Sequence, residues 1–384
     1  MPEQIDYSAH NEEVKRVWEA YRAGKPTRVP FVLGINPRYT MFEHPANPRR
    51  IEFEQYMADP QIMIERQVEH ACWVRHNLPH DVEMGLPERW FVYPDYQNVY
   101  EAAWFGCEIE FHKGQVPDTR PILSDERKSL LFDRGIPDPF GGPAMQRAWQ
   151  IYEFMKIKEE DGWTYMGRPI QVGSPPGGGT DGPTTVACNL RGACEFCTDL
   201  LDDPAYAEEL LDYVTEAAIS RIKAYRKRLG HELRPQGFGY ADDSIALLST
   251  SMVEQVILPR HRRMIDELSH GGPNSIHLCG NATRHFPLLK ERLDIQSFDT
   301  GFPIDFAWLR TTLGPNVEIL GGPAIPFLES SSVSEISAES KRILESGIME
   351  GGKFVFREAN NLSPAVGPDK VAAMYAAAKR WGTY

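Results

Sequence analysis

Residues 236–279 decide the fold, and their sequence is QGFGYADDSIALLSTSMVEQVILPRHRRMIDELSHGGPNSIHLC. The apolar segment 236–241 predicts a strand, and 251–268 has a helical pattern that Pro259 is expected to kink. Residues 275–279 predict a second strand. A strand, a helix and a strand in this order form a βαβ unit, and such units build parallel sheets.

The same alternation extends on both sides of this stretch. Further strands are predicted at 28–34, 169–173, 317–320 and 353–356, and helices at 12–23, 59–76, 204–230, 286–293, 334–346 and 368–381. The strand count approaches eight, and no Gly-x-Gly-x-x-Gly follows the first strand. We therefore predict one α/β domain over 1–384, a (β/α)8 TIM barrel, with an irregular, aromatic-rich N-terminal elaboration at about 36–150.

Composition excludes several classes of protein. The 384 residues are 42% apolar and 25% charged, as expected of a globular chain. The 41 Lys and Arg against 54 Asp and Glu give a net charge of −13, which argues against nucleic-acid binding. No apolar stretch approaches the roughly 18 residues of a membrane span, and the polar N-terminus predicts no signal peptide. We expect a cytoplasmic protein whose six cysteines are thiols.

Two strand ends carry residues that could perform chemistry, and a barrel places its active site at strand ends. His277 and Cys279 project from the same face of a strand, and their nitrogen and sulfur suit Zn²⁺. The alternative is a buried cysteine beside a histidine that binds a carbonyl. Asp242 and Asp243 follow another strand, where they could bind metal, carry a proton or merely cap turns.

The last predicted strand is followed by polar residues, at 357–361. The functional interpretation places Glu358 or Asn360 opposite the His277 strand, and the alternative is a solvated loop with a surface Arg–Glu pair. The aromatic cluster at 90–105, which includes Trp90 and Tyr96, could line a pocket for a flat apolar ligand or simply fill the core.

Two weaker motifs are assigned no chemistry. The glycines at 177–179 lack the Lys-Ser/Thr of a phosphate-binding loop, and we interpret them as a mobile loop over the barrel mouth. Cys194 and Cys197 have metal or redox spacing but no second pair, so we expect them to pack in a helix or turn.

The chain resembles the uroporphyrinogen decarboxylase superfamily, whose members are (β/α)8 barrels. Three segments carry the resemblance, at 182–204, 241–259 and 277–289. The similarity covers roughly 165–384, with a thinner match near 28–30.

True decarboxylases of this superfamily carry Arg-Gln-Ala-Gly-Arg-Tyr after the first strand, and its two arginines hold substrate carboxylates. Here Arg38 and Tyr39 match the end of that motif, while Gly34 replaces the first arginine. The histidine that decarboxylases place after the last strand is also missing from 357–361. The resemblance therefore argues against decarboxylation of a porphyrinogen, which needs several cations.

The corrinoid-dependent methyltransferases of the superfamily match better. Their His-x-Cys pair binds zinc together with a later cysteine, but this chain has no cysteine after Cys279. The missing position falls near Asn360, and Glu358, Asp242 or Asp243 could supply an oxygen ligand instead. The oxygen-richer set favours a methyl donor bearing oxygen.

The resemblance thus implies an O-demethylase type of methyltransferase. Zinc would be held by His277, Cys279 and Glu358, and a small-molecule donor such as an aryl methyl ether would give its methyl to the Co(I) corrinoid (cobalamin) of a partner carrier protein. The implied catalytic residues are Asp242, Asp243 and Arg38, and the implied substrate-binding residues are Tyr39, Trp90, Tyr96 and Asn360. The resemblance is compatible with a homodimer.

Two other functions remain open. One is a metal-free decarboxylase or lyase of a smaller carboxylic acid, with Arg38 as anchor and Asp242 or Asp243 as acid and base. The other is a non-catalytic protein that binds a corrinoid or tetrapyrrole. Ionisable groups clustered at strand ends argue weakly against the second.

Overall fold

The computed structural model describes residues 5–384; residues 1–4, at the start of the segment for which we predict no signal peptide, lie outside the described part. Within it, the strands are β1 (Trp90–Val92), β2 (Ile109–Glu110), β3 (Asp118–Thr119), β4 (Thr164–Tyr165), β5 (Arg168–Val172), β6 (Gly239–Ala241), β7 (Asn274–Leu278), β8 (Ile295–Thr300), β9 (Glu318–Gly321) and β10 (Phe354–Phe356).

The α-helices surround these strands and fill most of the chain between them. They are α1 (Ser8–Arg22), α2 (Phe53–Ala58), α3 (Pro60–Asn77), α4 (Tyr100–Trp104), α5 (Leu130–Arg134), α6 (Gly142–Glu160), α7 (Pro183–Arg191), α8 (Ala193–Asp202), α9 (Pro204–Arg228), α10 (Thr250–Met252), α11 (Leu258–Leu268), α12 (Phe286–Leu293), α13 (Phe306–Leu313), α14 (Ile325–Ser330), α15 (Val333–Leu344) and α16 (Pro368–Trp381). None of those within residues 5–384 is long and apolar enough to cross a bilayer.

The main sheet is parallel and runs in the order β6, β7, β8, β9, β10. Parallel bridges extend it at both edges, from Phe31 to Phe356 and from Asp181 to Ala241. A smaller sheet has the order β1, β5, β4, and β2 pairs with β3 as an antiparallel hairpin. The α/β class and the parallel sheet predicted from the sequence are therefore confirmed.

Two hydrophobic cores support these sheets. The larger one lies between the main sheet and its helices, and includes Leu210, Phe298 and Met374. The second belongs to the N-terminal elaboration, where Trp90 and Ile170 pack against α2, α3 and α6. The N-terminal part is thus structured around its own apolar centre.

Helix and strand positions agree well with the sequence pattern in the second half of the chain. Helices α12 and α16 have the predicted bounds, and a π-helical turn at Val253–Ile257 lies just before Pro259, where we expected a kink. Three differences stand out. The predicted strand at 28–34 forms only isolated bridges, and the sequence pattern predicts neither strand β8 nor helix α6.

Candidate active site

The ends of β6 and β7 bring three potential metal ligands together. The strands pair in parallel with Ala241 opposite His277, so the residues that follow them emerge at the same edge. One ligand atom each from Asp243, His277 and Cys279 lies within 4.8 Å of the others, and all three residues are partly buried. We call these three residues the ligand cluster.

The His277 ring is held by a carboxylate on the next strand. Its Nδ1 lies 2.8 Å from Oδ2 of Asp299, the residue opposite His277 in the β7–β8 pairing, and Arg357 donates to the same oxygen at 2.8 Å. Burial lowers the pKa of His277, but the hydrogen bond and charge of Asp299 outweigh it and leave the pKa raised. The other ring nitrogen of His277, Nε2, faces Asp243 and lies 4.0 Å from its Oδ1.

The Cys279 thiol is kept protonated by its surroundings. Burial, followed by the charge of Asp243, raises the pKa of Cys279 far above its ordinary value. The Cys279 backbone N–H also donates to Oδ1 of Asp243 at 2.6 Å, which fixes the carboxylate beside the sulfur. A bound cation would reverse this preference, because a coordinating thiol loses its proton.

The neighbouring Asp242 has a structural position. It is fully buried, and its carboxylate accepts hydrogen bonds from the backbone N–H and hydroxyl of Thr185 at 2.8 and 2.9 Å. His261 Nε2 lies 2.6 Å from its other oxygen. Asp242 therefore holds the start of α7, and a Cβ on Gly182 would collide with its carboxyl group. The structure does not bring Asp242 into the ligand cluster.

Glu358 is also fully buried and lies outside the ligand cluster. Its Oε1 accepts from the backbone N–H of Gly34 at 2.6 Å and from Arg357 at 3.2 Å. Burial raises the pKa of Glu358 to about 7. Asn360, whose φ is 97°, offers its carbonyl to Arg357 at 2.6 Å. Arg357 thus ties the loop after β10 to Asp299, and the carboxylate of the ligand cluster belongs to Asp243.

Arg38 lies at a polar cavity beside the ligand cluster. The cavity has a volume of about 370 Å³, and Arg38, Asp181 and Asp243 are among the residues that line it. We call it the polar cavity. Arg38 donates to Oε1 of Gln97 through Nε and Nη2, at 3.2 and 3.0 Å.

Tyr39, in contrast, is buried and donates its hydroxyl to the carbonyl of Val366 at 2.7 Å, so it has a packing position.

The two predicted aromatic contacts lie elsewhere. Trp90 is 1% exposed in the N-terminal core and donates from Nε1 to the carbonyl of Tyr165 at 2.8 Å. Tyr96 lines a different cavity, with which the polar cavity shares no lining residue. The core interpretation of the aromatic cluster therefore fits Trp90, and neither residue lines the polar cavity.

The glycines at 177–179 line a cavity that shares no lining residue with the polar cavity. The buried Arg221 of α9 donates to the carbonyls of Gly177 and Gly179, at 3.2 and 2.9 Å, so this segment is bound to a helix. The mobility expected of this loop stays a prediction. Cys194 and Cys197 lie in α8, exposed and partly buried respectively.

Sequence reasoning missed Asp181 and Asp299. Asp181 reaches the polar cavity, and its backbone N–H donates to Glu101 at 2.6 Å. Burial, followed by the charge of Glu101, raises the pKa of Asp181 well above its ordinary value. Identification of β8 would have revealed Asp299, because it lies opposite His277; nothing local marks Asp181.

A family model described as Uroporphyrinogen decarboxylase (URO-D) matches residues 13–381. The chain belongs to this family. The resemblance drawn from three sequence segments is thereby confirmed, and it extends through the N-terminal elaboration.

Two relatives of this URO-D family chain are methyltransferases. A methylated-thiol--coenzyme M methyltransferase of Methanosarcina mazei is 29% identical over 142 residues, which are 36% of this chain and 36% of that protein. The chain thus matches about a third of the length of this relative. A solved methyltransferase from Methanosarcina mazei has a TM-score of 0.63 and 19% identity, covering 95% of this chain and 98% of that one. At this identity the second match shows the fold alone.

The structure of this URO-D chain explains why Gly34 replaces the first arginine of the decarboxylase motif. The Arg357 guanidinium and the Glu358 carboxylate occupy the space that a Cβ at residue 34 would need. An arginine at position 34 is therefore incompatible with this arrangement of Arg357. The loop after β10 places a cation close to where the decarboxylase motif would place its first arginine.

Proposed function

We propose that the protein is a zinc-dependent methyltransferase that moves a methyl group from a methyl ether, or a similar methylated donor, to the Co(I) corrinoid of a partner carrier protein. The observation that carries the proposal is the ligand cluster, in which nitrogen, sulfur and oxygen converge at neighbouring strand ends. The relatives named methyltransferase and the family membership support it. We further propose that the bridged sheet belongs to a closed eight-stranded barrel in a single domain.

The ligand cluster fits a catalytic zinc ion. Such sites use three protein ligands and keep one position open, and zinc accepts imidazole, thiolate and carboxylate. Asp299 holds Nδ1 of His277, the outer contact that orients metal-bound histidines. When bound, zinc would act as a Lewis acid on the donor and stabilise the charge that develops on the leaving atom.

The residues of this chain would bind and orient the donor. The polar cavity, next to Asp243, is lined mainly by hydrogen-bonding side chains such as Arg38, Gln97 and Asn189. This lining suits a donor that carries polar groups better than a flat apolar arene, since Trp90 and Tyr96 lie elsewhere. Asp181, whose raised pKa favours the protonated form, can donate a proton within the same cavity.

Metal content tests the proposal directly. Elemental analysis is expected to find about one zinc per chain in the wild type and almost none in Cys279→Ala or Asp243→Asn. Cys194→Ala is the matched control, because Cys194 is an exposed cysteine of α8, and it should keep its zinc.

Activity is then measured as methyl transfer from methyl ethers to free cob(I)alamin, followed by its absorption spectrum. We expect transfer in the wild type and in Cys194→Ala only. Protein that binds no zinc when it is offered, and that transfers no methyl group, contradicts the proposal. Undiminished turnover of a small carboxylic acid after chelation would instead support the decarboxylase alternative.

A further inference from the structure

A second cavity lies in the N-terminal elaboration, between α2, α4, α6 and the hairpin strand β2. Its volume is about 590 Å³, within the range of small-molecule sites. Met57, Ala103, Ile109 and Ala144 are among its apolar lining residues. We call it the apolar cavity; it shares no lining residue with the polar cavity.

Tyr96 contributes a hydroxyl group to the lining of the apolar cavity. Its side chain is only 4% exposed, and its hydroxyl donates to no residue within 5–384. Burial raises the pKa of Tyr96 to about 12, so the hydroxyl remains a donor at neutral pH. The hydroxyl is not among the fully buried, unpartnered polar atoms of residues 5–384, so water can reach it, and a ligand acceptor would take the place of that water.

The charged residues of the apolar cavity argue against an anionic ligand. Glu54 and Glu108 are exposed lining residues, whereas Arg147 is partly buried and donates to the carbonyl of Ala58. Two carboxylates against one guanidinium do not attract an anion. The interior offers apolar area and one donor, which matches a neutral ring with one acceptor.

We propose that the apolar cavity binds a small neutral aromatic molecule that carries a hydrogen-bond acceptor, such as a carbonyl oxygen. The Tyr96 hydroxyl donates to that acceptor, and the ring is buried among Met57, Ala103 and Ala144. This site is distinct from the ligand cluster and does not depend on the proposed methyl transfer.

Calorimetric titration with acetophenone tests the site, because this probe has one ring, one carbonyl and no transferable methyl on a heteroatom. We expect saturable binding of one molecule per chain with a Kd below about 1 mM. Tyr96→Phe should weaken binding about 3- to 10-fold, since it removes one hydrogen bond. Ala144→Leu should abolish binding by filling the cavity, and Tyr152→Phe, on the same helix α6, should leave it unchanged.

Several results would overturn the proposal. One is the absence of saturable binding to the wild type. Another is unchanged binding in Ala144→Leu, with circular dichroism confirming that the variant is folded. Loss of binding in Asp243→Ala but not in Ala144→Leu would place the probe in the polar cavity. A wild-type dimer that Ala144→Leu dissociates, with no probe binding, would show that a second copy covers the cavity.

Discussion

Replacement of Glu358 by glutamine should remove a pH dependence of stability. Burial raises the pKa of Glu358 to about 7 from its ordinary value of 4.5. Between these two values the folded state holds a proton that the unfolded state releases. The free energy of unfolding therefore falls as the pH rises through this window, and the loss is complete only above pH 7.

The size of this effect follows from the shift. A difference of about 2.5 pKa units at about 1.36 kcal/mol per unit gives an upper limit of about 3.4 kcal/mol. Integration of proton binding between pH 5 and pH 8 gives about 2.5 kcal/mol of that limit. Glu358 is fully buried, so solvent does not screen this contribution to stability. Glutamine has the same shape and can still accept the hydrogen bond from Gly34.

The assay is urea unfolding of the wild type and Glu358→Gln at pH 5, 6, 7 and 8, in one buffer system of constant ionic strength. Subtracting one pH profile from the other cancels the titration of the remaining groups. We expect the variant to gain about 2.5 kcal/mol relative to the wild type between pH 5 and pH 8. Parallel profiles would refute the assignment of a neutral buried carboxyl, and a relative gain towards low pH would reverse its sign.

Three further predictions follow from the contacts described above. Asp299→Asn should weaken zinc binding by about 10- to 100-fold in a competitive chelator titration, because it loosens the hold on His277; unchanged affinity would contradict that role. Burial, followed by the charge of Arg284, lowers the pKa of His285 to about 4, so stability present above pH 6.5 should fall by about 3 kcal/mol as the pH drops to 4. His285→Gln should flatten that fall in urea unfolding. Gly182→Ala should lower the free energy of unfolding by about 1–3 kcal/mol, since its Cβ collides with Asp242; an unaltered melting temperature would show that the start of α7 yields easily.

The sequence predicted the regular second half because its helices carry strong local signals. Pro368 and Trp381 bound a clear amphipathic pattern, and α16 has those bounds. Strand β8 was missed because its sequence, IQSFDT, alternates apolar and polar residues too weakly to be recognised alone. Its place is set by pairing with β7 and β9, a non-local effect.

The candidate site, too, could be predicted from the sequence only in part. The His277 and Cys279 pair could be recognised from their spacing, since alternate residues of a strand share a face. The sequence could not show whether Asp242 or Asp243 faces this pair. The answer depends on contacts of Asp242 with Thr185 and His261, which lie far from it in the chain. The surroundings of Trp90 and Tyr96 could not be predicted for a related reason, since aromatic residues indicate burial without saying what they bury against.

The hairpin formed by β2 and β3 is a wall common to both cavities. Ile109 and Phe111 line the apolar cavity, and residues 115–119 line the polar one. A molecule bound in one cavity restricts the positions that the hairpin can take. This restriction changes the free energy of binding in the other cavity. Thermodynamic linkage makes this reciprocal: to the extent that the hairpin shifts on binding, each ligand alters the affinity of the other by the same factor.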